Sequence, residues 1–163
     1  MPLHLREKDA KKTRDCPGSR RLHPDDSRRQ SSGRANRCAT FDAVKAIRFH
    51  STGGPEVLAF ETVPTPEPAA GAVRLRVHAA GVNFADTRFR RGEYFVRPQF
   101  PQIPGMEAAG VVDAIGSGVT GVAVGDRVMC LGADAYAEYM IAKPHDLYPM
   151  PDGLDFAEAA ALP

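Results

Sequence analysis

Residues 103–112 read Ile-Pro-Gly-Met-Glu-Ala-Ala-Gly-Val-Val, a Pro-Gly turn that leads directly into a run of small and branched apolar residues. Apolar runs of this length, when Gly or Pro bound them, are typical of buried β-strands. We therefore predict a buried strand over residues 108–115. Gly105 precedes this strand, and a second glycine-rich turn, Gly116-Ser117-Gly118, ends it.

Similar short segments lie on both sides of this strand, separated by Gly and Pro turns. Their apolar residues alternate or run together as in strands, and the segments are residues 44–50, 57–63, 73–77, 136–142 and 147–148, with one more starting near residue 128. A short helix is predicted from Asn83 to Arg91, ended by Gly92, and Asp155 with Glu158 forms the capping box of another helix. Many short strands with few helices indicate a mainly β fold, a small barrel or sandwich.

The first 43 residues differ from the rest in charge and in the pattern of their apolar residues. They carry 11 Lys and Arg against 6 Asp and Glu, whereas residues 44–163 carry 10 against 14. This segment lacks apolar periodicity, so it cannot bury enough surface to offset its ordering entropy. We predict a disordered basic tail over residues 1–43 and one folded domain over residues 44–163. Import into an organelle is disfavoured by the acidic residues of the tail, and a translation start at Val44 would leave the tail out.

Composition excludes several classes of protein. The chain has 163 residues, of which 43% are hydrophobic and 25% charged, as in a soluble globular domain. It has no apolar run long enough for a membrane span or a signal peptide, and its net charge of +1 gives no case for nucleic acid or a membrane as partner. The three cysteines, Cys16, Cys38 and Cys130, form no CxxC pair, which favours a reduced, cytoplasmic protein. The five histidines show no ligand spacing, so no metal site is predicted.

Several short motifs of residues 44–163 resemble, in order and spacing, those of one family. They are Gly53-Gly54-Pro55-Glu56-Val57-Leu58, Gly81-Val82-Asn83-Phe84-Ala85-Asp86, Arg91-Gly92-Glu93-Tyr94, Pro104-Gly105-Met106-Glu107-Ala108-Ala109-Gly110, Gly125-Asp126-Arg127-Val128, Tyr136-Ala137-Glu138-Tyr139 and Ala159-Ala160-Ala161-Leu162-Pro163. The set is similar to the N-terminal catalytic domain of the zinc-independent NAD(P)H:quinone oxidoreductases, a branch of the medium-chain dehydrogenase/reductase superfamily. The resemblance implies a GroES-like, partly open β-barrel.

The same resemblance implies that the nucleotide-binding half of such an enzyme is outside this chain. The sequence contains no Gly-x-Gly-x-x-Gly motif and no alternation of strands and helices, so no Rossmann domain is predicted. The chain ends about where that family's nucleotide-binding domain would begin.

Zinc binding is disfavoured by the residues at two positions. Zinc-dependent members of the superfamily have a Cys in the Gly-Val-Asn region and a His after the Pro-Gly. Here those positions hold Asn83 and Met106, and an amide and a thioether are poor zinc ligands.

By resemblance, the reaction is hydride transfer from NADPH to a quinone or an activated alkene. Asn83 and Asp86 would then lie at the nicotinamide end of the cleft as cofactor-binding residues, and Tyr94 would face the substrate as the catalytic residue, a hydrogen-bond donor or an orienter. Asn83 would donate to a carbonyl or to the cofactor, and Asp86 would accept from a ribose hydroxyl or fix Asn83. Each has an alternative interpretation, because Asn83 and Asp86 also suit a helix start and Tyr94 suits a packed loop.

Other polar and aromatic residues receive structural interpretations. Glu107 is expected to brace its loop through backbone amides. Tyr136 and Tyr139 are expected to face opposite sides of one strand, at least one of them in ordinary packing or at the surface, and Cys130 is expected to be a small core residue.

Three alternatives for the chain's own role stay open at the level of sequence. It is a truncated product that is inactive alone, one half of an enzyme that a separate Rossmann-domain chain completes, or a binding module without activity. In each case the uncovered domain is expected to expose an apolar patch, and residues 44–163 alone are expected to show no NADPH-dependent quinone reduction.

Overall fold

A computed structural model describes residues 42–163, so the predicted tail lies outside the described residues except for Asp42 and Ala43. Within the described part of the chain are seven strands and two α-helices. They are β1 (Ala43–Arg48), β2 (Ala59–Pro64), β3 (Val73–Ala80), α1 (Phe84–Arg91), β4 (Glu107–Ile115), β5 (Arg127–Leu131), β6 (Tyr139–Ala142), β7 (Leu147–Pro149) and α2 (Phe156–Ala159). Short 3-10 turns cover Pro55–Val57 and Pro144–Asp146.

The strands form two antiparallel sheets. One sheet pairs β1 with β2, and the other has five strands in the order β6-β3-β4-β5-β7. The two sheets meet where β1 pairs with the segment before β6, at the isolated bridge between Ala46 and Ala137. No sheet closes on itself within residues 42–163, and every pairing there is antiparallel. This confirms a mainly β, partly open fold without a Rossmann unit in the described chain.

The main apolar core lies on one face of the five-stranded sheet. Its buried members are Val73, Leu75, Ala108, Val112, Val128, Cys130, Ala135, Met140 and Ala142. Alternation along β3 and β5 directs every second side chain into this core, as a half-buried strand requires. A smaller cluster of Val44, Ala46, Val63 and Ala137 joins β1 and β2 to the rest.

The predicted elements mostly form, with shifted ends. Both helices are confirmed, and Gly92 ends α1 in the left-handed conformation with φ of 73°. The predicted strand over residues 57–63 is wrong at its start, because Pro55 begins a 3-10 turn there. The predicted strand over residues 136–142 is also wrong at its start, since β6 begins only at Tyr139. Tyr136 therefore does not lie on a strand opposite Tyr139.

Candidate functional site

The start of α1 places Asn83 and Asp86 against each other. Asn83 is the N-cap residue, and the two residues face each other as a capping box. The well-formed hydrogen bond of this pair runs from the Asn83 backbone N–H to Asp86 Oδ2, at 2.9 Å. The carboxamide oxygen of Asn83 faces the Asp86 N–H, which itself donates to the Asn83 carbonyl oxygen at 3.1 Å. The hydrogen bonds of Asn83 to residues 42–163 are made by its backbone, and its carboxamide NH2 donates to none of these residues.

Asp86 is held from a second side by a residue far away in the sequence. The Tyr136 hydroxyl donates to Asp86 Oδ2 at 2.8 Å, joining residues 50 positions apart. Asp86 is only 5% exposed, and its other oxygen, Oδ1, has no hydrogen-bond partner among residues 42–163. A buried carboxylate is costly unless donors satisfy it, so these two donors are what keep Asp86 in place.

The Pro-Gly turn that follows α1 in the sequence runs beside Tyr136. The backbone N–H of Tyr136 donates to the Pro104 carbonyl oxygen at 3.0 Å, and that of Ala135 donates to Gly105 at 3.3 Å. Two residues after Gly105, Glu107 accepts from the Gly81 N–H through its main-chain oxygen at 3.0 Å. The Glu107 side chain lies against Gly81, and the contact between these segments is this main-chain hydrogen bond. The predicted bracing of the loop by the Glu107 carboxylate is not seen among residues 42–163.

Tyr94 lies beyond the other end of α1. The helix has eight residues, and at about 1.5 Å per residue it is about 12 Å long. Tyr94 is half-buried and its ring contacts Phe95, with centroids 4.1 Å apart. No hydrogen bond or ring contact among the described residues joins Tyr94 to Asn83, Asp86 or Tyr136.

The surface around Asn83 is open and apolar. Its neighbours Val82 and Phe84 are each 76% exposed, and Phe95 next to Tyr94 is 84% exposed. Two concave regions of about 290 and 310 Å³ occur elsewhere in the described chain, and neither is lined by Asn83, Asp86 or Tyr94. Asn83 thus lies between two exposed apolar side chains, where a second surface would have to cover it to exclude water.

The electrostatics of this region favour a neutral phenol at Tyr136. Burial raises its pKa above the ordinary value for tyrosine, and the hydrogen bond to Asp86 and the charges of Asp86 and Glu107 raise it further. Tyr136 therefore keeps its proton and stays a donor to Asp86. Cys130 is buried in the core, and burial, with a smaller effect from Asp146, raises its pKa to about 12, which makes it a poor nucleophile.

Metal ligands are not gathered in this part of the chain. No group of three or more His, Cys, Asp or Glu side chains within residues 42–163 is arranged to hold a metal ion. Asn83 and Met106 supply neither a thiolate nor an imidazole, so these residues do not fit zinc. The described residues also include no helix of the length and apolarity that a membrane crossing requires.

The fold and this site together define a class of protein. The family described as the alcohol dehydrogenase GroES-like domain matches residues 69–152, which span β3 to β7. The chain belongs to this family, and with it to the medium-chain dehydrogenase/reductase superfamily.

Several individual proteins of known name are also similar to this chain. The chain is 40% identical to the quinone oxidoreductase of Rattus norvegicus over 122 residues, which are 73% of this chain and 37% of that protein. Among solved structures, the human synaptic vesicle membrane protein VAT-1 homolog-like protein matches with a TM-score of 0.72 at 37% identity, over 74% of this chain and 40% of that one. The Escherichia coli quinone oxidoreductase complexed with NADPH matches with a TM-score of 0.66 at 34% identity, over 72% and 36%. The chain thus spans less than half the length of these relatives.

Sequence reasoning missed Tyr136 as a member of this site. The sequence predicts one strand over residues 136–142, whereas β6 starts only at Tyr139 and residues 132–138 form the turn before it. The position of Gly105 was the available signal. A Cβ there would lie 2.5 Å from the Tyr136 ring, so a glycine before the strand indicated a close neighbour without identifying it.

Proposed function

We propose that residues 44–163 are the substrate-binding domain of an NADPH-dependent reductase that acts on quinones or activated alkenes without zinc. The observation that carries the proposal is the Asn83 carboxamide, whose oxygen faces the helix and whose NH2 donates to none of the described residues. Similarity to quinone oxidoreductases, one of them complexed with NADPH, supports the reaction class and the cofactor. The proposed location is the cytoplasm.

In this proposal, Asn83 stabilises the charge that develops on the substrate. When a quinone or enone is reduced, negative charge grows on its carbonyl oxygen, and a fixed amide donor in a dry site stabilises it. NADPH, when bound, supplies the hydride. Asp86 fixes the backbone of Asn83 at the nicotinamide end and completes the cofactor-binding pair. Tyr94 donates a hydrogen bond to an acceptor oxygen of the substrate.

Water exclusion requires a second surface over Val82 and Phe84. Both side chains are apolar and exposed, and covering them would remove water from the Asn83 amide and strengthen its electrostatic effect. We propose that this surface belongs to a nucleotide-binding domain, on the same or a separate chain. The residues of this chain alone are then expected to give no turnover.

The test compares variants in a protein that contains this chain together with a nucleotide-binding domain. NADPH oxidation is followed at saturating 1,4-naphthoquinone. Asn83→Ala is expected to lower kcat about 100-fold, as removal of an oxyanion donor does. Tyr94→Phe is expected to lower kcat by up to about tenfold, the loss expected from one hydrogen bond. Tyr148→Phe, which changes an exposed phenol on β7, is the matched control and is expected to leave kcat unchanged.

Two results would contradict the proposal. Saturable NADPH-dependent reduction by purified residues 44–163 would show that no second surface is required. Equal kcat values for Asn83→Ala and the Tyr148→Phe control would show that Asn83 takes no part in the reaction.

A second candidate function is that of a binding module without catalysis. It is favoured by the exposed apolar side chains of Val82, Phe84 and Phe95. Quinone binding that Asn83→Ala weakens, without NADPH turnover under any condition, would support this role instead.

A further inference from the structure

We propose that Tyr136 is a positioning residue that fixes Asn83 through Asp86. The inference deepens the proposed function and rests on it, since it concerns how the amide that meets the substrate carbonyl is aimed. Tyr136 itself contacts neither substrate nor cofactor in this proposal.

The connection depends on one shared oxygen atom. Asp86 Oδ2 accepts from the Tyr136 hydroxyl at 2.8 Å and from the Asn83 backbone N–H at 2.9 Å. Because the other Asp86 oxygen is buried without a partner in the described chain, loss of the phenol would leave the carboxylate with a single side-chain hydrogen bond. The carboxylate could then rotate, and the Asn83 backbone would lose its fixed acceptor.

Tyr136 can fix Asp86 because its own position is determined by three other contacts. Its N–H donates to Pro104 at 3.0 Å, and its carbonyl oxygen accepts from the Ile47 N–H at 2.8 Å. Its ring packs so closely against Gly105 that a Cβ there would lie 2.5 Å from Cδ1. Contacts with β1 and with the Pro-Gly turn therefore fix the phenol, and its hydrogen bond to Asp86 fixes the start of α1 relative to both.

The alternative is that Tyr136 only fills space between α1 and the Pro-Gly turn. In that case the ring matters and the hydroxyl does not, and Tyr136→Phe would behave like any loss of a hydroxyl elsewhere. Tyr139→Phe is the matched control. Tyr139 lies three residues away, its ring contacts the Arg74 guanidinium at 5.4 Å, and its hydroxyl makes no hydrogen bond to residues 42–163.

The first experiment measures hydrogen exchange of the Asn83 backbone amide by NMR in the 163-residue chain. Tyr136→Phe is expected to speed this exchange about tenfold, the loss expected from one hydrogen bond to a charged group, relative to the amides of β4. Tyr139→Phe is expected to leave it unchanged. If Tyr136→Phe fails to fold, Tyr136→Leu replaces it, since it also removes the hydroxyl that donates to Asp86 and leaves the Asp86 acceptor of the Asn83 N–H in place.

The second experiment is a double-mutant cycle in the NADPH-dependent reductase. Tyr136→Phe is expected to lower kcat about tenfold when Asn83 is present, and by less than about twofold in the Asn83→Ala background, because residues that act through one another are not additive. An equal loss in both backgrounds, or Asn83 exchange that matches Tyr139→Phe, overturns the proposal. If no form reduces any quinone, the proposed function fails, and the exchange experiment alone decides whether Tyr136 positions Asn83.

Discussion

At the scale of single residues, Gly105 shows why this chain needs a glycine in the Pro-Gly turn. Its φ is +100°, a conformation that costs little for glycine and strains other residues. Its Cα also lies against the Tyr136 ring, so a side chain would meet both Tyr136 Cδ1 at 2.5 Å and Ala135 Cβ at 3.0 Å. Two independent physical reasons therefore require glycine here, and both keep Tyr136 close to the turn.

Gly105→Ala is expected to lower the free energy of unfolding by about 2–6 kcal/mol. About 1–3 kcal/mol comes from backbone strain, and a similar amount comes from overpacking against Tyr136. Urea denaturation of the 163-residue chain measures it. Gly118→Ala is the matched control, since Gly118 has φ of +80° and no atom within 4 Å of a Cβ. Gly118→Ala is expected to lose only the part of the unfolding free energy that comes from backbone strain. An equal loss of unfolding free energy in both variants would contradict the contact between residue 105 and Tyr136.

At the scale of elements, α2 is attached to the five-stranded sheet by one aromatic ring and two alanines. Ala159 and Ala160 are buried against Ala109 of β4. The Phe156 ring stacks on His78 of β3, with centroids 4.3 Å apart and planes at 16°, and Arg127 of β5 lies over the same ring at 4.9 Å. A helix of only four residues has little stability of its own, so these contacts decide whether it stays docked.

Acidification is expected to weaken the docking of α2. Burial lowers the pKa of His78 below 6.5, and the charges of Arg76 and Arg127 lower it further. Because the folded state has the lower pKa, the unfolded chain takes up the proton first. The stability is thus fully present above about pH 6.5 and falls as pH drops through the folded pKa. Since His78 is an exposed residue, water screens the effect and the loss is below about 1 kcal/mol.

The measurement is the free energy of unfolding at pH 7.5 and pH 5.5 for the wild type and for His78→Gln. The variant is expected to lose less stability than the wild type over this range. His145→Gln, which changes an exposed ring outside the stack, serves as the control and should behave as the wild type does. Identical pH dependence in all three proteins would show that His78 is not responsible.

At the scale of the whole molecule, the described domain leaves apolar side chains uncovered in a second place besides Val82 and Phe84. Met129, Leu131, Tyr148, Leu162 and Pro163 line a groove of about 310 Å³, which we call the β5–β7 groove. Leu131 is 47% exposed and Leu162 is 59% exposed. An uncovered apolar groove of this kind favours binding of hydrophobic molecules, in line with the expected apolar patch.

The double substitution Leu131→Glu with Leu162→Glu is expected to reduce the fluorescence of bound anilinonaphthalene sulfonate by about half or more, because it places negative charge in the β5–β7 groove, which repels the anionic dye and removes apolar surface. Val124→Glu is the matched control, since Val124 is 63% exposed and lies outside the groove. Circular dichroism verifies that all forms are folded. Equal fluorescence in the two charged variants would place the dye elsewhere.

The sequence by itself determined the features that depend on neighbouring residues. Gly and Pro turns marked most of the strands, Gly92 ended α1, and Asp155 with Glu158 capped α2, because turn and cap chemistry acts within a few residues. Order and spacing of the motifs also identified the family. The roles of Asn83, Asp86 and Tyr94 stay predictions that the proposed experiments test.

Only the tertiary structure decided which distant residues meet. It brought the Tyr136 hydroxyl to Asp86 across 50 positions of the chain and buried that carboxylate. It also left Tyr94 without a contact to this pair and ended the predicted strand short of Tyr136. The physical reason is that such contacts follow from how β1, α1 and the Pro-Gly turn pack together, and no local pattern of polarity or turn residues records that packing.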